Sequence, residues 1–464
     1  MPVKKNNLDI SLIPILLLPI SIIIGQAIIS LVLLICALIF IIKLKDLKIE
    51  TSTENYFLLF FFIILIFSTI INNDFQNQNN FKTFFKSLLY LKFLILYFIT
   101  LDAKINKYFF YNLKNIFIII FICLIFVLFD TLYQYFHPQK IDIFGYKATL
   151  ENANRLTGPF GTDEAIPGAY LIKIGFVGLI FLNYFIFEKY NSNKIFLYTF
   201  LSTLNLIFFI GILLSGERIS FLMALLSSLI FIILTKRLKL FFITIGSLFF
   251  IIFIYILSSN QYIQERYKIL GKYFLAKDFV TIDLNKISDD DHKKKNNINF
   301  LNNQWGAHYL TSIEMLKDKP LLGSGIKGFT NSCGNSKYEN IRSLAYYKRC
   351  SSHPHNLYFE IIVETGILGF ITIIIFFSII MIKSLKQIII LNNIKISSED
   401  KIILSCFIAT FAVLTSILWP ARSSGSFFSN MNGSMIWFSI SLISLFRRYF
   451  ELRINNYKLS KPKI

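Results

Sequence analysis

The chain has 464 residues, 55% of them hydrophobic and 16% charged, with a mean hydropathy of +0.60. Its length would accommodate two or three soluble domains, but this balance excludes them, and apolar runs long enough to cross a bilayer recur from the first residues to the last. The formal charge of +20 does not point to nucleic acid, because most Lys and Arg residues sit in short connections between apolar runs, where they act as topology signals.

In chain order, spans are predicted near Asp9 to Ile24, Ala27 to Ile42, Phe57 to Ile71, Phe84 to Thr100, Ile116 to Phe136 and Ile166 to Phe187. Further spans are predicted near Ile195 to Ser215, Ile219 to Leu234, Phe241 to Ser258, Leu357 to Ile382, Ile402 to Trp419 and Ser434 to Phe446. The pattern is that of an all-α polytopic membrane protein with about twelve transmembrane helices and one large loop between spans 9 and 10. It divides into residues 1–258 (spans 1 to 9), 259–356 (the loop) and 357–464 (spans 10 to 12 with a basic tail). No cleavable signal peptide ahead of a soluble body is expected.

Orientation follows the basic connections. Lys4 and Lys5, Lys43 to Lys48, Lys104 to Lys114, Lys189 and Lys194, Lys236 to Lys239, Lys383 to Lys401, and Arg447 to Arg453 form one alternating set, which the positive-inside rule puts in the cytoplasm together with both termini. The expected location is the inner membrane, with the opposite set of connections and the large loop facing the periplasm. Within that loop Asp289 to Asn303 reads as a mobile polar insertion. Trp305, Tyr309, Leu310, Ile313 and Leu316 then recur at helical spacing, predicting an amphipathic helix that Pro320 stops and that Gly323 and Gly325 follow with a tight turn.

All five histidines, His137, His292, His308, His353 and His355, fall in these outer segments. His292 follows three aspartates and reads as part of a solvated charge run, not as a metal site. In the segment Ser352 to Glu360, Pro354 suits the first position of the following helix, which would place His355 in its first turn. There the helix dipole disfavours imidazolium and keeps the ring neutral, making a base beside an anion site. The competing reading, that these side chains only cap a helix at the interface, stays open.

Outer arginines are few apart from those in the loop: Arg155, Arg218 in the tight Ser215 to Arg218 turn, and Arg422. Arg218 is held near the bundle mouth, where a planar bidentate donor suits a diphosphate, unless it pairs with Glu217 or serves as an anchor. Arg266, soon after span 9, is a second candidate. Lys92, Asp130, Lys173, Glu360 and Glu364 are the sparse polar residues of the spans, and they form no charge relay across the midplane, which weakens a transporter reading. Cys36, Cys123 and Cys406 lie in spans, whereas Cys333 and Cys350 share the outer loop and are candidates to pair in an oxidising compartment.

Three of these segments together resemble the O-antigen ligase and polymerase superfamily of bacterial membrane glycosyltransferases. They are Ser215 to Arg218 ahead of an apolar helix, the Trp305 helix leading to Pro320 to Gly325, and His353 to Tyr358 running into Glu360, Glu364 and Gly366. Arg155 to Gly161 looks like an earlier outer-loop motif of that family.

The resemblance implies metal-independent transfer of a glycan from undecaprenyl diphosphate to an acceptor hydroxyl at the periplasmic face, without a cofactor. His355 and Arg218 would be the catalytic residues, with Arg155, Arg266, His353 and Asn356 binding substrate. The acceptor is lipid A core for a ligase, a carrier-linked repeat for a polymerase, or a protein. The chain departs from the family in having Asn302, Asn303 and Gln304, without an arginine, ahead of Trp305. A lipid-linked sugar transporter without chemistry is the reading from a different class.

Overall fold

The computed structural model describes residues 9–45, 52–72, 78–106, 108–147, 155–161, 165–190, 194–261, 263–264, 267, 303–341, 343 and 345–459. Among these the fold is all-helical, and the one pairing of extended backbone is an isolated bridge between Ile141 and Lys147. In chain order the helices are α1 (Ile13–Ile24), α2 (Gln26–Lys43), α3 (Thr53–Asn72), α4 (Gln78–Leu89), α5 (Leu91–Leu101), α6 (Phe109–Phe136) and α7 (Pro167–Tyr170). A single π turn, Leu171–Gly175, joins α7 to α8 (Phe176–Lys189). Then come α9 (Lys194–Leu214), α10 (Arg218–Leu234), α11 (Lys239–Ser259), α12 (Gln304–Asp318), α13 (Gly328–Ser332), α14 (Leu357–Leu391), α15 (Ser398–Ile417) and α16 (Asn430–Leu459).

Among the described residues nine helices or joined helices are long and apolar enough to cross a membrane. The chain is a multi-pass membrane protein. Ile10–Ile24 and Arg218–Leu234 are apolar but shorter, and α16 carries enough polar side chains to stand outside the nine. α16 is nevertheless the centre of the bundle, buried throughout residues 431–447. Trp437 is fully buried and packs against the rings of Phe62, Phe93, Phe376 and Phe427. Ser434, Ser441 and Ser444 lie in the same buried stretch, where their small side chains let neighbouring backbones approach closely, as helix association in lipid requires.

α14 is broken in its third turn. Gly366 adopts φ 66, ψ −172, and the chain then resumes its helix. The segment Pro320–Gly325 lies across the break and makes backbone hydrogen bonds that the helix forgoes: Ser324 and Gly325 N–H donate to the carbonyls of Val363 (2.7 Å) and Glu364 (2.9 Å), and Ile367 and Leu368 N–H donate to Pro320 (2.9 Å) and Leu321 (3.2 Å). Asn72, at the end of α3, adds a side-chain bond to the Gly323 carbonyl at 2.9 Å. The loop after α12 is thereby fixed to the membrane helices.

Several expectations are corrected here. The fourth apolar segment starts earlier than expected, at Gln78, and is interrupted at Tyr90. α12 does not bury the face that its hydrophobic spacing suggests. Its inward edge is Gly306, Ala307, His308, Thr311, Ser312 and Met315, while Ile313 is 39% exposed. The polar insertion Asp289 to Lys295 and its continuation to Asn302 lie outside the described residues, as does Arg266. Asn303, expected to end that insertion, instead caps α12 by accepting the Gly306 N–H at 3.0 Å. α14 begins at Leu357 with Asn356 as its cap, so Pro354 and His355 precede the helix instead of occupying its first turn.

Candidate functional site

The site is built where the chain enters α14. Asn356 Oδ1 accepts the N–H groups of Tyr358 (2.9 Å) and Phe359 (3.3 Å), which starts the helix. Its amide Nδ2 donates to the carbonyls of Pro420 (2.9 Å) and Arg422 (3.2 Å), which ties this helix start to the connection between α15 and α16. One residue earlier, His355 has φ 59, a left-handed conformation that histidine tolerates better than most residues. That geometry is held by the Ser424 N–H, which donates to the His355 carbonyl at 2.8 Å.

Three imidazoles meet at this point. The His353 and His355 ring centroids are 4.2 Å apart, and His308 from α12 stacks on His355 at 5.3 Å and 28°. Their hydrogen bonds differ. His353 Nε2 lies 3.1 Å from the Ser424 carbonyl, which can only accept, so this nitrogen carries the proton. Its Nδ1 then accepts from Ser352 Oγ at 3.0 Å, and both ring nitrogens are committed. His355 uses Nε2 on Ser351 Oγ at 3.1 Å. His308 is 4% exposed, bonds the backbone of Lys348, and has a buried Nδ1 with no partner among the described residues.

Burial depresses all three rings. It holds His355 below its ordinary 6.5. Burial first, and the neighbouring His355 second, bring His308 down to about 4 and His353 to about 3. At neutral pH the cluster is therefore uncharged. Below it, Glu360 accepts from Ser426 Oγ at 2.5 Å and from the Phe427 N–H at 2.6 Å, while Glu364 Oε2 is buried without a partner among the described residues.

A second group of charges borders the same connection. Arg422 is buried, gives its Nε–H to the Ile417 carbonyl at 2.8 Å, and has an Nη2 with no partner among the described residues; burial brings its pKa down to about 10. Lys173 Nζ donates to Asn432 Oδ1 at 2.6 Å and lies within electrostatic reach of both Arg422 and Glu217. Asn432 Nδ2 in turn holds the carbonyls of Gly425 and Ser426, each at 3.0 Å. Glu217 accepts the N–H groups of Gly168 (2.6 Å) and Ala169 (3.2 Å), capping α7, and accepts from Ser220 Oγ at 2.7 Å. Burial raises its carboxyl above the ordinary range, and Arg155 acts against that.

Arg218 opens α10 immediately after this glutamate and is half-buried. Arg155 donates to the Ala165 carbonyl at 2.6 Å, and the next residue, Leu156, donates its N–H to the Ser215 carbonyl at 3.0 Å, which places the two arginine-bearing turns side by side. Cys333 and Cys350 form a disulfide with Cα atoms 5.4 Å apart.

The structure thus joins His353, His355 and Asn356 in one cluster and Arg155 with the Arg218 turn in another. Arg422 and Lys173 connect the two, and the sequence reading assigned neither of them a role. His308 was equally missed. The only signal for it was the bias of histidines toward one side of the chain, since His355 and the Lys348 backbone, which meet its ring, lie 40 or more residues away. Among the described residues, no group of three or more His, Cys, Asp or Glu side chains is arranged to hold a metal ion.

These features place a cluster of titratable side chains at the helix ends of a multi-pass membrane protein. Residues 203–374 match the family model for O-antigen ligase, which supports membership of the O-antigen ligase and polymerase family. The matched segment contains Arg218, α12, the histidine segment and the Gly366 break, and excludes Arg155 and Arg422. A search of curated proteins found no match. Members of the family are glycosyltransferase-like ligases and polymerases acting on lipid-linked glycans.

Proposed function

We propose that the protein is an O-antigen ligase-type glycosyltransferase that moves a glycan from undecaprenyl diphosphate to an acceptor hydroxyl at the periplasmic face of the inner membrane. The observation that carries this reading is the neutral histidine cluster, in which His308 Nδ1 is unpartnered but enclosed among the described residues and His355 is bonded at Nε2. His353 has both nitrogens committed. Ser351 Oγ bonds His355 at Nε2, and in the tautomer that donates Nε2–H to that hydroxyl the Nδ1 lone pair is left to accept. As the acceptor oxygen attacks the anomeric carbon, its proton passes to His355 Nδ1, the bond from that carbon to the diphosphate oxygen breaks, and undecaprenyl diphosphate leaves.

The departing diphosphate is a good leaving group and needs cations more than a general acid. Arg155 and Lys173 act on the buried Glu217 carboxylate, Arg422 acts on Lys173, and Arg218 follows Glu217 in the chain and suits bidentate contact with phosphate oxygens. These four take over the work of the arginine that is missing before Trp305, and the transfer proceeds without a metal. On this reading the chain crosses the membrane about twelve times, both termini are cytoplasmic, and residues 259–356 form the large periplasmic loop that delivers α12 to the site.

The acceptor is lipid A core, which makes the protein a ligase; the polymerase alternative shares the donor chemistry. Glycan profiling of a deletion strain separates them. Loss of a ligase leaves long polymer on the carrier, whereas loss of a polymerase leaves single repeat units. The transporter reading, without chemistry, predicts instead that His355 substitutions leave glycan linkage intact.

A further inference from the structure

The three histidines come from two elements, yet each draws a hydrogen-bond partner from the same five residues. The Lys348 backbone bonds His308, Ser351 Oγ meets His355 Nε2 at 3.1 Å, and Ser352 Oγ meets His353 Nδ1 at 3.0 Å. Cys350, in the middle of this segment, is bonded to Cys333 at the end of α13. Apart from the single 3-10 turn Tyr346–Lys348, the segment has no regular structure to hold it.

Its other ties converge on the same anchor. Arg349 donates to the carbonyls of Cys333 (3.0 Å) and Gly334 (3.3 Å), and the Ser352 carbonyl accepts from Thr330 Oγ1 at 2.8 Å. Cys333 itself is 3% exposed and packed with Met315 of α12, Phe329, Tyr338 and Val363 of α14. The bridge therefore fastens an irregular segment to the small core that also positions α12 and α14.

We propose that the bridged segment Lys348–Ser352 is the positioning element of the site, holding the rings of His308, His353 and His355 in place by a hydrogen bond to each, and that His308 is a positioning residue acting through His355. This rests on the functional reading given above. A base must hold its neutral ring in one orientation toward the acceptor, and the group bonded to the other ring nitrogen provides that hold. The flat face of His308 supports His355 in its left-handed conformation.

Among the described residues, the charged and titratable groups that act on the cluster are the three rings themselves and Lys327 beside His353. Opening the bridge lets water reach rings whose main perturbation is burial, so their protonation moves back toward ordinary histidine.

The test measures transfer of carrier-linked glycan against pH by the full-length protein in liposomes, before and after reduction with a phosphine that opens the bridge, alongside the Cys333→Ser/Cys350→Ser double variant. Reduced protein should transfer about ten- to a hundred-fold more slowly, as expected for a misplaced base. The acid limb of its pH profile should shift to higher pH, and the double variant should match it and ignore the phosphine. His308→Phe, which keeps a flat ring, should retain more activity than His308→Ala.

Full rate and an unshifted acid limb, with alkylation showing both thiols free, would overturn the proposal. Should reduction abolish the melting transition, Ser351→Ala decides instead, because it leaves the bridge intact: wild-type rate and pH profile in that variant would overturn the proposal. His355→Ala is run in parallel. An active His355→Ala protein removes the functional reading and this inference together, whereas an inactive one beside a fully active reduced protein removes the inference alone.

Discussion

Gly323→Ala probes the joint on which the site's geometry depends. Gly323 has φ +69, and a Cβ placed there would lie 2.4 Å from the Gly366 nitrogen, 2.6 Å from the Val363 oxygen and 2.7 Å from the Glu364 carbonyl carbon. All three are backbone atoms, so no side chain can rotate away. The left-handed conformation alone costs an alanine about 1 to 2 kcal/mol, and forced displacement of packed backbone typically costs about 1 to 3 kcal/mol. We expect a loss of about 2 to 5 kcal/mol, some of it as weakening of the four backbone bonds across the break. Thermal unfolding in detergent measures it, with Gly246→Ala as the control, since nothing lies within 4 Å of a Cβ there. Equal unfolding midpoints for Gly323→Ala and wild type would refute the claim that this segment is fixed to the broken helix.

Arg218→Lys keeps the charge but loses the planar fork; normal membrane levels with strongly reduced transfer are expected, and full activity would return the residue to an anchoring role. The pH dependence has a definite sign. His355 titrates below 6.5, so transfer should hold steady from neutral pH down to about that value and fall at lower pH as the ring takes a proton, and a rate that rises on acidification would contradict a neutral base. Activity of purified protein should survive chelation, and loss on EDTA restored by magnesium or manganese would call for a metal, directing attention to Asp289, Asp290 and Asp291. Reporter fusions after Lys48, Lys114, Lys239 and Lys395 should read cytoplasmic and those near Asn77, Glu151 and Asn296 periplasmic, with a cytoplasmic Asn296 contradicting the orientation.

Hydrophobic spacing located the helices well because a membrane helix must satisfy its backbone internally and is therefore long and continuous in sequence. It failed where polar contacts set the geometry. The inward face of α12 is made of Ala307, His308, Thr311 and Ser312, which no apolar periodicity singles out. The start of α14 was placed too early, since Pro354 suits a first helical position, yet Asn356 offers the better cap by reaching two N–H groups and two distant carbonyls. His353, His355 and Arg218 were legible as residues of a motif. Arg422 and Lys173 were not: their part in the site comes from electrostatic proximity and from Asn432, across separations of more than 200 residues for Lys173. The break at Gly366 was equally hidden, because a lone glycine in an apolar run does not announce that another segment supplies the missing hydrogen bonds.

The central claim is that His355, and not its neighbour, takes the acceptor proton. The measurement is transfer of carrier-linked glycan to acceptor in liposomes by wild type, His355→Ala and His353→Ala at matched protein levels. General-base catalysis contributes about a hundred- to ten-thousand-fold, so His355→Ala should raise the barrier by roughly 3 to 5 kcal/mol while retaining donor binding. His353→Ala, whose two nitrogens already serve Ser352 and Ser424, should lose far less. Wild-type rates in His355→Ala, or equal losses in both variants, would contradict the account.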